Sequence, residues 1–221
     1  MPMKTVLAYG DSLTWGMNAL TLRRHAQEDL WPSVLGTKLG NAAQVINAGL
    51  GGRTTMFDDH GAMADRNGVR ILPTVLGTFD PIDLMIFMLG TNDLKTFLNG
   101  SAIGAAQGMK RLIEIVKTYP YEGKAPAPKI LIVSPPLVLR HGPTENFPLQ
   151  SPRVDESGDL AALYRLVAQG AGTEFFDAAT VATAEGGGDG VHLDAANTRA
   201  IGAALAPVAA RMLGIGEGKA A

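Results

Sequence analysis

Short apolar runs alternate along the chain with longer stretches of helical spacing. The runs fall at Met3 to Ala8, Gln44 to Asn47, Ile82 to Leu89, Lys129 to Val133 and Glu174 to Phe176. Two of them, Leu84-Met85-Ile86-Phe87-Met88-Leu89 and Ile130-Leu131-Ile132-Val133, are apolar at every position. A strand with one buried face alternates; an unbroken run predicts a strand covered on both faces, as in a parallel sheet. Between the runs, Ala102 to Tyr119 places Met109, Leu112, Ile113 and Val116 on one helical face and stops before Pro120. Asp159 to Ala168 does the same with Leu160, Leu163, Tyr164 and Val167. Ala195 to Leu213 does so with Ile201, Leu205, Val208 and Met212, behind Asp194 as N-cap. Trp31 to Leu39 and Val69 to Leu76 read as shorter helices. Strands alternating with helices give βαβ units, hence an α/β protein: a three-layer α/β/α sandwich around a five-stranded parallel sheet.

Composition narrows the class. The 221 residues suit one domain, read as residues 1–213, with 214–221 as a flexible tail. Nineteen Lys and Arg against 21 Asp and Glu leave no basic footprint for nucleic acid. No apolar run approaches the roughly 20 residues of a membrane span, and the stretch Thr5 to Tyr9 is too short for a signal-peptide core. With no cysteine, disulfide scaffolds, thiolate nucleophiles and Cys-bearing zinc sites are excluded. A reducing compartment fits, and a cytoplasmic location is the expectation. Two polar stretches, Met17 to Asp29 and Arg140 to Gly158, exceed ordinary connections. Each reads as a lid, a pocket wall, an oligomer contact or plain surface. The 27 glycines exceed the average share of roughly 7%, and their positions carry the functional signal.

Glycine-bearing polar segments follow the predicted strands. They are Gly10-Asp11-Ser12-Leu13-Thr14, Ala48-Gly49-Leu50-Gly51-Gly52-Arg53-Thr54, Gly90-Thr91-Asn92-Asp93 and Gly186-Gly187-Gly188-Asp189-Gly190-Val191-His192. In a parallel sheet all four sit at carboxyl ends, the rim where open α/β sheets bind ligands. Ser12 in a tight strand-to-helix turn exposes its hydroxyl but needs a base to become a nucleophile. His192 is the candidate base, and Asp189 lies close enough in sequence to hold the imidazole Nδ1–H. The N–H of Ser12, the N–H of Gly52 and the amide of Asn92 are candidate donors to an oxyanion.

These four segments resemble the signature blocks of the SGNH hydrolases, also called the GDSL family. Their Ser, Gly, Asn and His fall on Ser12, Gly52, Asn92 and His192, in order, over nearly the whole chain. The resemblance implies a flavodoxin-like SGNH hydrolase fold and no cofactor or metal. Tyr9-Gly10-Asp11-Ser12-Leu13-Thr14-Trp15-Gly16, Gly52-Arg53-Thr54-Thr55, Met88-Leu89-Gly90-Thr91-Asn92-Asp93 and Val133-Ser134-Pro135-Pro136 look like the bacterial arylesterase/acyltransferase branch. Between Gly51 and Gly52, the branch pattern selects Gly52, which directly precedes Arg53-Thr54. The branch implies hydrolysis of small or aryl esters, acyl transfer to alcohols or peroxide, and homo-oligomers, octamers among them. The partner expected is a small-molecule ester, with no nucleic acid and no membrane. A carbohydrate acetylesterase and a lipase-like enzyme stand as alternatives.

Asp11 and Asp93 read as carboxylates that hold loops through backbone N–H groups, not as catalytic groups. Leu13, Trp15, Lys95 and Val191 read as substrate-pocket walls, with core packing as the rival for some. Arg53 has two readings, a contact to an acidic substrate and a salt bridge across subunits. His25, His60 and His141 read as solvated loop residues. A nucleotide- or flavin-binding α/β protein would need G-x-G-x-x-G or a P-loop after the first strand, and Gly10-Asp11-Ser12 is neither. A non-catalytic module of the same fold would have lost Ser, Asp or His; all three are present.

Overall fold

Five parallel strands line up in the order β4-β1-β5-β6-β7 in the computed structural model, which describes residues 2–140 and 153–215. The strands are β1 (Lys4–Gly10), β4 (Ala43–Gly49), β5 (Leu84–Met88), β6 (Lys129–Ser134) and β7 (Glu174–Asp177). The chain goes from β1 outward to β4, then crosses back to β5 on the other side of β1 and continues in one direction. This is the flavodoxin-like order, whose reversal between β1 and β5 opens a crevice at the carboxyl rim.

The unbroken apolar runs are explained by the two layers they feed. On β5, Leu84, Ile86 and Met88 join one core cluster, while Met85 and Phe87 join the other. The first cluster is closed by α2 (Trp31–Leu39) and α7 (Ala195–Leu213); the second by α3 (Gly68–Phe79), α4 (Ala102–Thr118) and α6 (Leu160–Ala171). Every β5 side chain is fully buried, so none can be polar without a partner. The helices start where their caps dictate: Ser101 accepts from Gly104 N–H at α4, and Asp194 from Asn197 N–H at α7.

Two expectations change. The 17–29 stretch is not bare loop. It folds into a hairpin of β2 (Met17–Asn18) and β3 (Arg23–Arg24), followed by a 3₁₀ turn at Gln27–Asp29. Neither strand exceeds two residues, too few for alternation to register. In the 140–158 stretch the described part contains the short helix α5 (Val154–Ser157). Residues 141–152 with His141, and 216–221 of the tail, lie outside the described residues.

Candidate active site

The site is assembled at the crevice from four strand ends. β1 ends at Gly10, and Asp11 turns the chain by accepting the Leu13 N–H at 2.9 Å. Ser12 is thereby the first residue of α1 (Ser12–Trp15), which closes after one turn with Gly16 N–H donating to Ser12 O at 2.8 Å. The turn leaves Ser12 partly exposed between buried Asp11 and buried Leu13.

His192 arrives from the loop after β7. Its Nε2 lies 2.9 Å from Ser12 Oγ and its Nδ1 lies 2.6 Å from Asp189 Oδ2. A carboxylate only accepts, so Nδ1 carries the hydrogen and Nε2 presents its lone pair to the Ser12 hydroxyl. Asp189 Oδ1 is itself held by the N–H groups of Val191 at 2.9 Å and His192 at 2.8 Å. Partial burial works against ionisation of Asp189, but the hydrogen bonds from the His192 ring and backbone prevail and hold its pKa at about 2. The carboxylate is therefore charged at neutral pH, facing the His192 ring.

On the opposite side lies the β4 loop. Gly52 has φ of 80°, and a Cβ there would sit 2.5 Å from Arg66 Nε. Only glycine suits that backbone, and the Arg66 side chain lies across it. Among the described residues, the N–H groups of Ser12 and Gly52 have no acceptor within the chain. Asn92 sits in the 3₁₀ turn after β5, and its Nδ2 donates to Arg53 O at 3.1 Å and to Asp11 Oδ2 at 3.3 Å. These two bonds fix the orientation of the buried amide.

Two buried carboxylates tie these loops together. Asp11 joins the Ser12 turn to Asn92, and Asp93 accepts both the N–H and the hydroxyl of Thr55. Burial pushes Asp11 up to about 6, against the pull of Leu13 N–H and of His192, Lys95 and Arg53. Burial likewise pushes Asp93 up to about 7 despite the Thr55 donors. Both therefore act as loop holders, as the sequence suggested. Thr55 can reach Asp93 because α4 presents Gly108 to it: a Cβ at 108 would fall 1.9 Å from Thr55 Oγ1.

Arg53 corrects the sequence reading on both counts. It is buried, donates from Nη1 to Gly10 O and Ala48 O, and stacks 4.0 Å from the Tyr9 ring centroid. It braces the ends of β1 and β4, and neither substrate nor another subunit can reach it. Leu13 is corrected too. With 3% exposure it belongs to the core cluster beneath α2 and α7 and not to a substrate wall. Trp15, Lys95 and Val191 remain partly exposed at the rim. Trp15 is stacked by Arg24 at 5.5 Å, and desolvation by burial lowers the Lys95 pKa.

His25 departs from the solvated reading: its Nε2 lies 2.9 Å from Leu193 O. His60 is exposed. Sequence reasoning missed Thr55, Arg24, Arg66 and His25, because each acts through a contact distant in sequence. Only the Arg53-Thr54-Thr55 run beside Gly52 offered a local signal. Among the described residues no cluster of three or more His, Cys, Asp or Glu could hold a metal ion. Among them, too, no helix is long and apolar enough to cross a membrane.

Comparison with known proteins gives the same picture. The model of the GDSL-like lipase/acylhydrolase family matches residues 8–200. A carbohydrate acetylesterase family member from Sinorhizobium meliloti is 50% identical with a TM-score of 0.92, covering 96% of this chain and 100% of that one. A proposed arylesterase from Agrobacterium tumefaciens is 48% identical with a TM-score of 0.90, covering 95% and 100%. The aryl esterase of M. smegmatis is 36% identical with a TM-score of 0.88, covering 95% and 99%. No curated protein matches the chain.

Proposed function

This chain belongs to the GDSL-like lipase/acylhydrolase family and has the fold of the SGNH-type ester hydrolases, and we propose that it hydrolyses short-chain or aryl carboxylic esters through an acyl-serine intermediate. The observation that carries the reading is the continuous line Ser12 Oγ, His192 Nε2, His192 Nδ1, Asp189 Oδ2, with contacts of 2.9 Å and 2.6 Å. His192 takes the Ser12 proton as Oγ attacks the ester carbonyl. The resulting oxyanion is received by the N–H groups of Ser12 and Gly52 and by Asn92 Nδ2, donors that gain strength as charge develops. Imidazolium then protonates the leaving alkoxide, releasing the alcohol and leaving the acyl group on Oγ. Water attacks the acyl-enzyme with His192 again as base, and the acid and free Ser12 are regenerated. An alcohol or hydrogen peroxide in place of that water gives a new ester or a peracid.

A phenylmethylsulfonyl fluoride adduct located by mass spectrometry tests the assignment. Label on Ser12 with loss of p-nitrophenyl acetate turnover is expected; loss of turnover with label on another serine sinks it. A p-nitrophenyl chain-length series, with and without added alcohol, then separates hydrolysis from transfer. The 50% identity to a carbohydrate acetylesterase family member favours one second reading, a deacetylase of sugars. It predicts faster release of acetate from acetylated saccharides than from aryl acetates.

We also infer a homo-oligomer, octameric in the extreme. Leu20, Leu22 and Met63 project from loops flanking the site with exposures of 71%, 76% and 106%, apolar area that association would cover. Light scattering at micromolar concentration is expected to give a multiple of 23.1 kDa; a monomer rejects it. We further propose a cytoplasmic location, with which the absence of cysteine agrees.

A further inference from the structure

The β2–β3 hairpin and His25, which follows it, touch the segments that carry both Ser12 and His192. On the Ser12 side, Arg24 Nε donates to Trp15 O at 2.6 Å and its guanidinium stacks on the Trp15 ring. His25 N–H donates to Gly16 O at 2.8 Å. Both acceptors are at the end of α1, the single turn that begins with Ser12. On the His192 side, His25 Nε2 meets Leu193 O, the carbonyl directly after the general base, at 2.9 Å. Leu20 covers Gly188 in the loop that carries Asp189.

The histidine's tautomer follows from its partners. A carbonyl only accepts, so Nε2 holds the hydrogen and Nδ1 is bare. Asn18 Nδ2 faces that nitrogen at 3.5 Å, and Asn18 Oδ1 is occupied by the N–H groups of Leu20 and Thr21 at 3.0 Å and 3.3 Å. The amide is thus turned with its donors toward His25. One directed relay runs from the hairpin tip through Asn18 and His25 to the His192 loop.

Apart from the Leu20 contact at Gly188, the hairpin and that loop stand apart. A cavity of about 390 Å³ separates them, walled by Asn18, Thr21 and Arg23 on one side and by Gly186, Gly187 and Asp194 on the other. Among the described residues, His25 Nε2 to Leu193 O is the one hydrogen bond that crosses. The loop it anchors is glycine-rich, with Gly188 and Gly190 at positive φ; Leu193 in the core and Leu139 N–H on Gly190 O at 2.8 Å hold it from the sheet side, and His25 adds the tie on the side of Ser12.

We propose that His25 is a positioning residue: it ties the loop of His192 and Asp189 to the helix of Ser12 and so sets the Ser12–His192 separation. It contacts no substrate. The inference rests on the serine-esterase reading for its consequence in turnover, not for its geometry. His25→Leu removes the donor at similar volume, and His25→Gln restores one at comparable reach. For His25→Leu, kcat on p-nitrophenyl acetate is expected to fall on the order of 10- to 100-fold with KM within about twofold, and His25→Gln to recover most of it. The second readout is the low-field proton of His192 Nδ1 bound to Asp189, followed by NMR. It is expected in the wild type, broadened or lost in His25→Leu, and regained in His25→Gln. Unchanged kcat and unchanged resonance in His25→Leu overturn the proposal, as does a loss that His25→Gln fails to rescue. A wild type that shows the resonance but turns over no ester overturns the esterase reading alone, and the resonance still tests His25.

Discussion

Ser12→Ala is expected to lower kcat for p-nitrophenyl acetate by about 10⁶-fold without weakening the fold. In the proposed reaction the hydroxyl forms the acyl bond, and no other described serine has a histidine nitrogen within hydrogen-bond distance. Its removal leaves the neighbourhood intact. Asp11 still caps α1 through Leu13 N–H, Gly16 N–H still closes the turn on the backbone carbonyl of residue 12, and alanine is a good helix former. Oxyanion donors alone retain a modest acceleration over water, so a small residual rate is compatible. The check is steady-state kinetics beside a thermal melt. Turnover within tenfold of wild type, with the melt unchanged, removes Ser12 from the chemistry.

The second large effect is Asp189→Asn, expected to reduce kcat by about 10⁴-fold. The side chain would still accept the N–H groups of Val191 and His192 through its amide oxygen. The amide nitrogen would then face His192 Nδ1, and two donors cannot face each other. The ring responds by carrying its hydrogen on Nε2, where it points at Ser12 and can no longer take the serine proton. KM should move little, since Asp189 lies behind His192 and away from the donors that receive the oxyanion.

The same substitution has a signature in pH. The folded pKa of Asp189, about 2, lies below the usual 3.8. A depressed carboxylate contributes stability that is present above the unfolded value and lost as pH falls through the folded one. The wild type should therefore exceed Asp189→Asn in urea midpoint at pH 7, with the gap closing between about pH 4 and 2. The side chain is 39% exposed, so solvent screening keeps the gap small. A gap that widens on acidification contradicts the ionised role.

Sequence pattern alone identified the five strands of the main sheet and the candidate chemistry at their ends. Unbroken runs as short as Leu84 to Met88 indicate strands buried on both faces, and parallel strands put the loops that follow them at one rim. The glycine-bearing blocks then name Ser12, Gly52, Asn92 and His192, and the three-residue step from Asp189 to His192 is short enough for their contact to be local. What sequence could not decide is what fills the space between blocks. Arg53 reads as a surface cation until Gly10, Ala48 and the Tyr9 ring, brought together by strand order, enclose it. Leu13 neighbours the nucleophile in sequence yet turns into the core, because one helical turn points successive side chains in different directions. His25 reads as solvated until the hairpin folds it onto Leu193, 168 residues away. Local periodicity and motif spacing are properties of neighbours along the chain, so they determine the elements and the reactive groups. Burial, hydrogen-bond partners and the resulting pKa values depend on residues far apart in sequence, so only the tertiary structure decides them.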